Sequence, residues 1–237
     1  MSMKESMKTA KQLYHMDEFR GFMRKMQGLT DDDFNKPIPE IKGYIVNSKE
    51  KDPVKMFFEI FERISEIWTG NAPVPVNNEW HHFIVPGVVL SSLRNNGYNV
   101  TDRDIEEGMA RGQKFAGGSC GFMGTCGGAY SVGILASVVK KTTPLHDEER
   151  TKILRLVADT LTDISLVGRR CCKRSSYIAL EHSIKYLVLE GYIIPLSSIK
   201  CRFSSENKMC AGVKCPYYPK HVSQKDIKDI KSNPEVN

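Results

Sequence analysis

Apolar residues recur at helical spacing along most of the chain, and no hairpin or βαβ alternation interrupts them. Between Lys4 and Gln27, Met7, Leu13, Tyr14, Phe19, Phe22, Met23 and Met26 stand among charges, which predicts one or two amphipathic helices. Leu29 to Asp52 reads as a connector, because Asp31-Asp32-Asp33 suits a short capped turn and Pro37 and Pro39 oppose a long helix. Asp52-Pro53 then opens a helix well, with a side-chain cap followed by proline at the first helical position. Its stripe of Val54, Phe57, Phe58, Phe61, Ile64, Ile67 and Trp68 is core, and Gly70 ends it. A Pro/Asn-rich loop, Asn71 to Glu79, delivers Trp80-His81-His82, and Pro86 is placed to start the next helix, through Val88, Val89, Leu90 and Leu93 to Asn96-Gly97.

Thr101, with Asp104 three residues on, marks a capped helix running to Lys114 and stopping at Gly117-Gly118. After the break at Thr142-Thr143-Pro144, a helix opens at His146-Asp147-Glu148-Glu149. It carries Ile153, Leu154, Val157, Leu161, Ile164 and Leu166 inward and stops at Gly168. Ser175 to Glu190 forms a last long helix, with Ile178, Ala179, His182, Tyr186 and Leu189 available to one face, and Gly191 to Pro195 fits one short strand. The total is about eight helical segments without an internal repeat, so an all-α architecture is expected around a central glycine-rich helix start. It divides into an N-terminal helical arm (1–50), a cysteine-rich helical domain (51–220) with an irregular C-terminal segment, and a polar tail (221–237).

That central stretch, Gly117 to Ile134, holds seven glycines and two cysteines in 18 residues. Glycine at this density lets a backbone approach a ligand or another helix closely. Ala129 to Lys140 reads as a helix, which puts Cys126 in or just before its first turn, where the positive end of the helix dipole favours a thiolate. The alternative is a buried helix start in which the cysteines serve as small hydrophobes. Gly118, Gly121, Gly124 and Gly127 are the candidate positions where backbone meets a cofactor. Arg111, near the end of the preceding helix, is a candidate anion clamp, or else the partner of a carboxylate. His82 is a candidate proton donor, with a bond to a nearby carbonyl as the plainer reading.

Composition narrows the class without naming a reaction. The 237 residues are 41% hydrophobic and 26% charged, enough for a substantial core. The net charge is +6, but bases and acids are interleaved, so a nucleic-acid footprint is weak. Met1 to Phe22 is too charged for a signal-peptide core. The uncharged run Ser119 to Val139 is long enough to span a bilayer, yet its first half is glycine, serine, threonine and cysteine, so no membrane role and a cytoplasmic location are expected. Seven cysteines in a reducing compartment point to metal, iron–sulfur or thiol chemistry rather than disulfides.

Cys201, Cys210 and Cys215-Pro216 place three thiols in one short, turn-rich segment. A soft metal takes deprotonated sulfur, and a loop can wrap it. Cysteine followed by proline occurs at cluster ligands in ferredoxin-type sequences, although this spacing fits no standard zinc or ferredoxin pattern. Cys171 and Cys172 are the nearest supply of a fourth ligand. Vicinal cysteines seldom share one ion, so one would bind metal while its neighbour meets substrate or pairs with Cys120 or Cys126. Arg169, Arg170, Lys173 and Arg174 around them would lower a thiol pKa and balance a thiolate-rich centre.

Taken together, the run Gly118 to Gly127 with Cys120 and Cys126, then Gly133-Ile134, Ser137, Thr143-Pro144, Arg170 to Arg174 and the closing three cysteines resembles an uncharacterised cysteine-rich domain family of anaerobic bacteria and archaea. That family's domain stands alone or beside a class I S-adenosylmethionine-dependent methyltransferase. The likeness covers His81 to Tyr217 and implies anaerobic metabolism and a cysteine-bound centre. It supplies no substrate. This chain differs from longer members in having no cysteine before Cys120, and it carries no glycine-rich Rossmann fingerprint, so methyl transfer by the chain itself is not expected.

The expected function is therefore an iron–sulfur-dependent enzyme or carrier in thiol, sulfur or redox chemistry. A 4Fe–4S cluster would sit on Cys201, Cys210, Cys215 and one of Cys171 and Cys172. Cys120, Cys126, His82 and Arg111 would line the reactive pocket. A small-molecule or sulfur-containing substrate and a methyltransferase or redox partner are the expected partners. The alternative is a non-catalytic zinc module serving as an interaction domain. A redox- or metal-sensing regulator that binds nucleic acid ranks last, for want of a helix-turn-helix pattern.

Overall fold

The computed structural model describes residues 3–219, and the expected polar tail lies outside them. Among the described residues there is no strand, and the all-α class holds. The helices are α1 (Met3–Gln12), α2 (Met16–Gln27), α3 (Asp31–Asn35), α4 (Ile38–Asn47), α5 (Pro53–Ile67), α6 (His81–Asn95), α7 (Asp102–Gln113), α8 (Ser119–Phe122), α9 (Gly127–Val139), α10 (Asp147–Ser165) and α11 (Cys172–Leu189), followed by a 3-10 turn at Gly212–Lys214. They outnumber the expectation mainly because the connector before Asp52 is itself helical. Thr30 and Asp33 form a capping box on α3. Pro39 falls in the first turn of α4, where no N–H is needed, so it starts a helix rather than preventing one. Gly191 to Pro195, read above as a short strand, is irregular.

The core is organised around α6. Every residue from His81 to Leu93 is buried, because α4, α5, α7, α9 and α11 all pack on this helix. A helix apolar on all sides belongs inside. It begins at His81, before the expected start at Pro86, and so carries the proline within it. Pro86 has no N–H to offer the carbonyl four residues back, that of His82. Ser131 of α9 supplies a donor instead, its one hydroxyl proton shared between His82 O at 3.0 Å and Gly127 O at 2.6 Å. Gly112 of α7 closes over the same carbonyl, where an added Cβ would stand 2.2 Å from the oxygen. One released carbonyl thus locks three helices together.

The early helices belong to this core. Ile41 and Ile45 of α4 are buried, and Ser91 Oγ donates to Ile45 O at 2.8 Å. Trp80, at the entrance of α6, donates from Nε1 to Phe34 O at 2.9 Å, which ties α3 down. The apolar stripe of α10, in contrast, is not buried as expected. Leu154 and Leu166 are 62% and 75% exposed, because α10 leans on α9 and α11 along one edge only. Leu161 and Ile164 face a cavity. Leu189 of α11 is exposed too. No helix among the described residues is long and apolar enough to cross a membrane.

The close approach at Gly112 makes a test. Gly112→Ala should destabilise the protein by about 1–3 kcal/mol, the range for an overfilled core. Gly43→Ala, where nothing lies within 4 Å of the added methyl, should stabilise α4 by about 0.5–1 kcal/mol. Thermal unfolding followed by circular dichroism measures both, and an unchanged Gly112→Ala protein would show that α6 and α7 do not meet at this carbonyl.

Candidate functional site

Two cavities meet at the start of α11, and Cys171 lines both. The larger, about 680 Å³, is walled by the glycine-rich loop around α8, the first turn of α6, the end of α10 and the first residues of α11. A space of this size suits a small-molecule ligand. Cys120, Cys126 and His82 face it, and so do Gly118, Gly121, Gly124 and Gly127. The structure adds Cys172, His81 and Arg170 to the same walls.

Helix α9 starts at Gly127, two residues earlier than expected, which makes Cys126 its N-cap residue; the thiol accepts no capping N–H. Gly127 is required there because the His82 ring lies over the helix start. A Cβ at Gly127 would stand 1.9 Å from His82 Cδ2 and 2.1 Å from Nε2. His82 Nδ1 lies 2.8 Å from Phe115 O. A carbonyl only accepts, so Nδ1 carries the proton and Nε2 of the neutral ring is an acceptor. His81 repeats the arrangement, with Nδ1 2.7 Å from Asn78 O. Burial lowers the pKa of both rings, most for His81, where the neighbouring His82 and Lys173 add to it; Arg170 pushes His82 the same way against its Phe115 bond and Glu79. The first turn of α6 therefore offers neutral imidazoles.

Arg111 is not part of this cavity. Its Nε meets Glu107 Oε1 at 2.7 Å and its Nη1 meets Ser137 Oγ at 3.1 Å. The face of α7 that carries it packs against the far end of α9 rather than its start, so the expected anion clamp is misplaced. The guanidinium beside the thiols is that of Arg170, with Nη2 3.9 Å from Cys172 Sγ. Burial pushes the Cys172 thiol up to about 11 against the pull of Arg170, and the nearby Cys126 and Cys120 raise it further.

The smaller cavity, about 10 Å³, is the space among Cys171, Cys201, Cys210 and Cys215. Helix α11 starts at Cys172, three residues before the expected Ser175, and Cys171 is its N-cap. The Cys171 sulfur accepts the Arg174 N–H at 3.5 Å and Asn207 Nδ2 at 3.3 Å. The Gly212 N–H donates to Cys210 Sγ at 3.4 Å. Phe203 and Tyr217 N–H groups donate to Cys201 and Cys215. All four sulfurs are thus met by main-chain donors. The loop between them is closed by Cys201 N to Tyr217 O at 2.8 Å and by the Tyr217 hydroxyl on Glu181 at 2.6 Å.

The surroundings of these thiols are unusual in charge. Lys173 is buried, with Nζ 3.1 Å from the Phe61 ring centre and 4.8 Å from that of Phe203. Burial lowers its pKa to about 7, while Cys172, Cys171 and Cys201 oppose that shift. Burial raises Cys201 and Cys215, with neighbouring thiols adding to it and the N–H donors opposing. The buried Tyr177 hydroxyl faces the Cys201 sulfur and, with the Phe203 N–H, opposes the upward shift of that thiol. As the side chains stand, no group of three or more His, Cys, Asp or Glu among the described residues is arranged to hold a metal ion.

The residues proposed for metal from sequence therefore divide. Cys171 groups with Cys201, Cys210 and Cys215, whereas Cys172 faces the larger cavity with Cys120 and Cys126. Two asparagines had no sequence signal. Asn77 Oδ1 accepts the Cys172 N–H at 2.9 Å and its amide reaches Asn207 Oδ1 at 3.3 Å, which joins the loop before α6 to both cavities. Lys173 and Arg174 were visible only as a basic run beside the cysteines.

The model of one protein family, described as a family of unknown function (DUF5714), matches residues 41–218. No curated protein and no solved structure matches the chain.

The thiols of the larger cavity differ enough in burial to be separated by alkylation. In metal-free protein, iodoacetamide should modify the exposed Cys120 well before the buried Cys172. A thiol titrating at about 11 gains thiolate about tenfold per pH unit below that value, so Cys172 labelling should climb that steeply from about pH 7 to 10. Peptide mass spectrometry follows each site, and equal rates for Cys120 and Cys172 at neutral pH would contradict this burial.

Proposed function

The chain belongs to this family of unknown function, so its role has to be read from the site, and we propose that it is a metal–thiolate enzyme of thiol or sulfur chemistry. Cys171, Cys201, Cys210 and Cys215 would hold a soft metal centre, and Cys120, Cys126 and Cys172 would work on a small molecule in the adjoining cavity. The observation that carries this reading is the convergence of four sulfurs on one small space, each met by a main-chain N–H. Such donors favour ionised sulfur. Four thiolates side by side repel one another, and Lys173 and Arg174 line the same space with two positive charges against them. A bound cation between them removes the repulsion, and its binding would release protons.

A bound zinc ion would polarise and fix its ligands, whereas an iron–sulfur cluster would supply one-electron chemistry. The cavity as it stands, about 10 Å³, is near the room one water-sized body needs. That favours a single ion, with the thiols turning inward; a cluster would need the loops to open. The segment from Cys201 to Cys215 thereby becomes a clasp over the start of α11. On the other side of that step, His82 Nε2 can take a proton from a cavity thiol, and Arg170 can steady the thiolate that remains. A purely structural zinc module shares the clasp but leaves this convergence of thiols, imidazoles and guanidinium without a use.

Anaerobic purification with metal and acid-labile sulfide analysis tests the centre. About one zinc or iron without sulfide, or about four irons with matching sulfide, is expected per chain. Cys171→Ser, Cys210→Ser and Cys215→Ser should each release the metal and loosen the tail, since binding there is coupled to folding. Cys172→Ser should retain the metal. Wild-type protein that holds no metal after anaerobic reconstitution, or equal retention in all four variants, would overturn the assignment.

A further inference from the structure

The larger cavity is positively charged in a way that thiol chemistry alone does not require. Arg169, Arg170 and Arg174 line it, and no aspartate or glutamate does. Arg174 is only 3% exposed; its Nη2 is taken by the carbonyls of Val167 and Arg169, and its Nε is buried without a partner. The Nε of Arg170 is likewise buried and unpartnered, and among the described residues its guanidinium has only the Cys172 sulfur as a polar contact. The nearby carboxylate, Glu79, is engaged by Arg24 at 3.0 Å and Arg20 at 3.7 Å. A half-buried guanidinium with no carboxylate partner has unused fork donors, which suit an oxyanion.

The other walls limit what that anion is attached to. Leu161, Ile164 and Val167 give an apolar side, and the loop backbone at Gly121 and Gly124 leaves open space opposite the thiols. The geometry points to this cavity as the binding site of a small anionic substrate, whose carboxylate or comparable oxyanion seats on Arg170 while its sulfur-containing or thiol-reactive end faces Cys120 and Cys172. The inference rests on reading the cavity as the place of thiol chemistry, and it is independent of which metal the tail holds.

Two alkylating probes of nearly equal size test it. Iodoacetate carries a carboxylate and iodoacetamide does not; with either, thiolate sulfur forms a bond to carbon and iodide leaves. The ratio of iodoacetate to iodoacetamide rates at Cys120 should be at least about fivefold higher in the wild type than in Arg170→Gln, the size of one nearby charge in partly screened surroundings. Lys11→Gln, remote from the cavity, should keep the wild-type ratio. Acetate should also protect wild-type Cys120 from iodoacetamide better than chloride at equal ionic strength, a measurement that needs no variant. Equal ratios in wild type and folded Arg170→Gln would overturn the inference, and if that variant does not fold, absence of acetate protection would do so. Metal content assayed on the same samples keeps the two readings apart. Wild-type protein that holds no metal yet shows the Arg170-dependent ratio counts against the cysteine-bound centre alone, and metal-bearing wild type whose ratio does not depend on Arg170 counts against the anion site alone.

Discussion

The carbonyl oxygen of His82 is the point on which the arrangement depends. Pro86 denies it the helical donor it would otherwise have, and a buried acceptor left alone would cost about 1–3 kcal/mol. Ser131 answers it from α9 and Gly112 closes over it from α7. Because the partners come from separate helices, satisfying one carbonyl fixes the positions of α6, α7 and α9 relative to each other. The turn that is fixed also carries the His81 and His82 side chains. The constraint that closes the core therefore aims two neutral imidazoles at the larger cavity, and Gly127 clears the space for one of them.

A second constraint operates where α11 begins. Successive residues at a helix start leave the backbone in different directions, so Cys171 borders both cavities whereas Cys172 borders the larger one. Cys171, at the N-cap, turns its sulfur to the Arg174 N–H and the tail cysteines, and Cys172 is buried next to Arg170. The main chain thus separates a thiol set surrounded by N–H donors from one surrounded by ionisable side chains. Lys173, the next residue, is buried against the rings of Phe61 and Phe203. A cation so placed is poorly solvated, so burial lowers the Lys173 pKa to about 7 while the neighbouring sulfurs oppose the shift.

The incomplete burial of α10 has the same origin. Its apolar stripe would be covered in a closed bundle, yet here Leu161 and Ile164 form a wall of open space between the helix and the glycine-rich loop. The loop cannot collapse onto them, since its ends are held by the α7 and α9 contacts at His82. Open volume, apolar on one side and cationic on the other, follows from helices locked elsewhere.

The helical class, the capping of α5 and α7 and the core stripe of α5 were legible in the sequence, because local spacing and cap chemistry determine them. The cysteines, the glycine-rich stretch and the basic run at Arg169 to Arg174 were legible as chemistry for a similar reason: residue type limits what sulfur and guanidinium can do. Which thiols share a cavity was not. Cys171 and Cys172 are equivalent by spacing, and only the true start of α11, earlier than Ser175, separates them. Pro86 looked like a helix start because proline suits a first turn, and Ser131, 45 residues later in the chain, is what allows it inside. Arg111 was the expected clamp, yet the far end of α9 claims it, and Arg170 stands beside the thiols instead. Local rules determine which elements form and which groups can react; the direction in which a side chain points is decided by the packing of helices distant in sequence, and no local pattern encodes that.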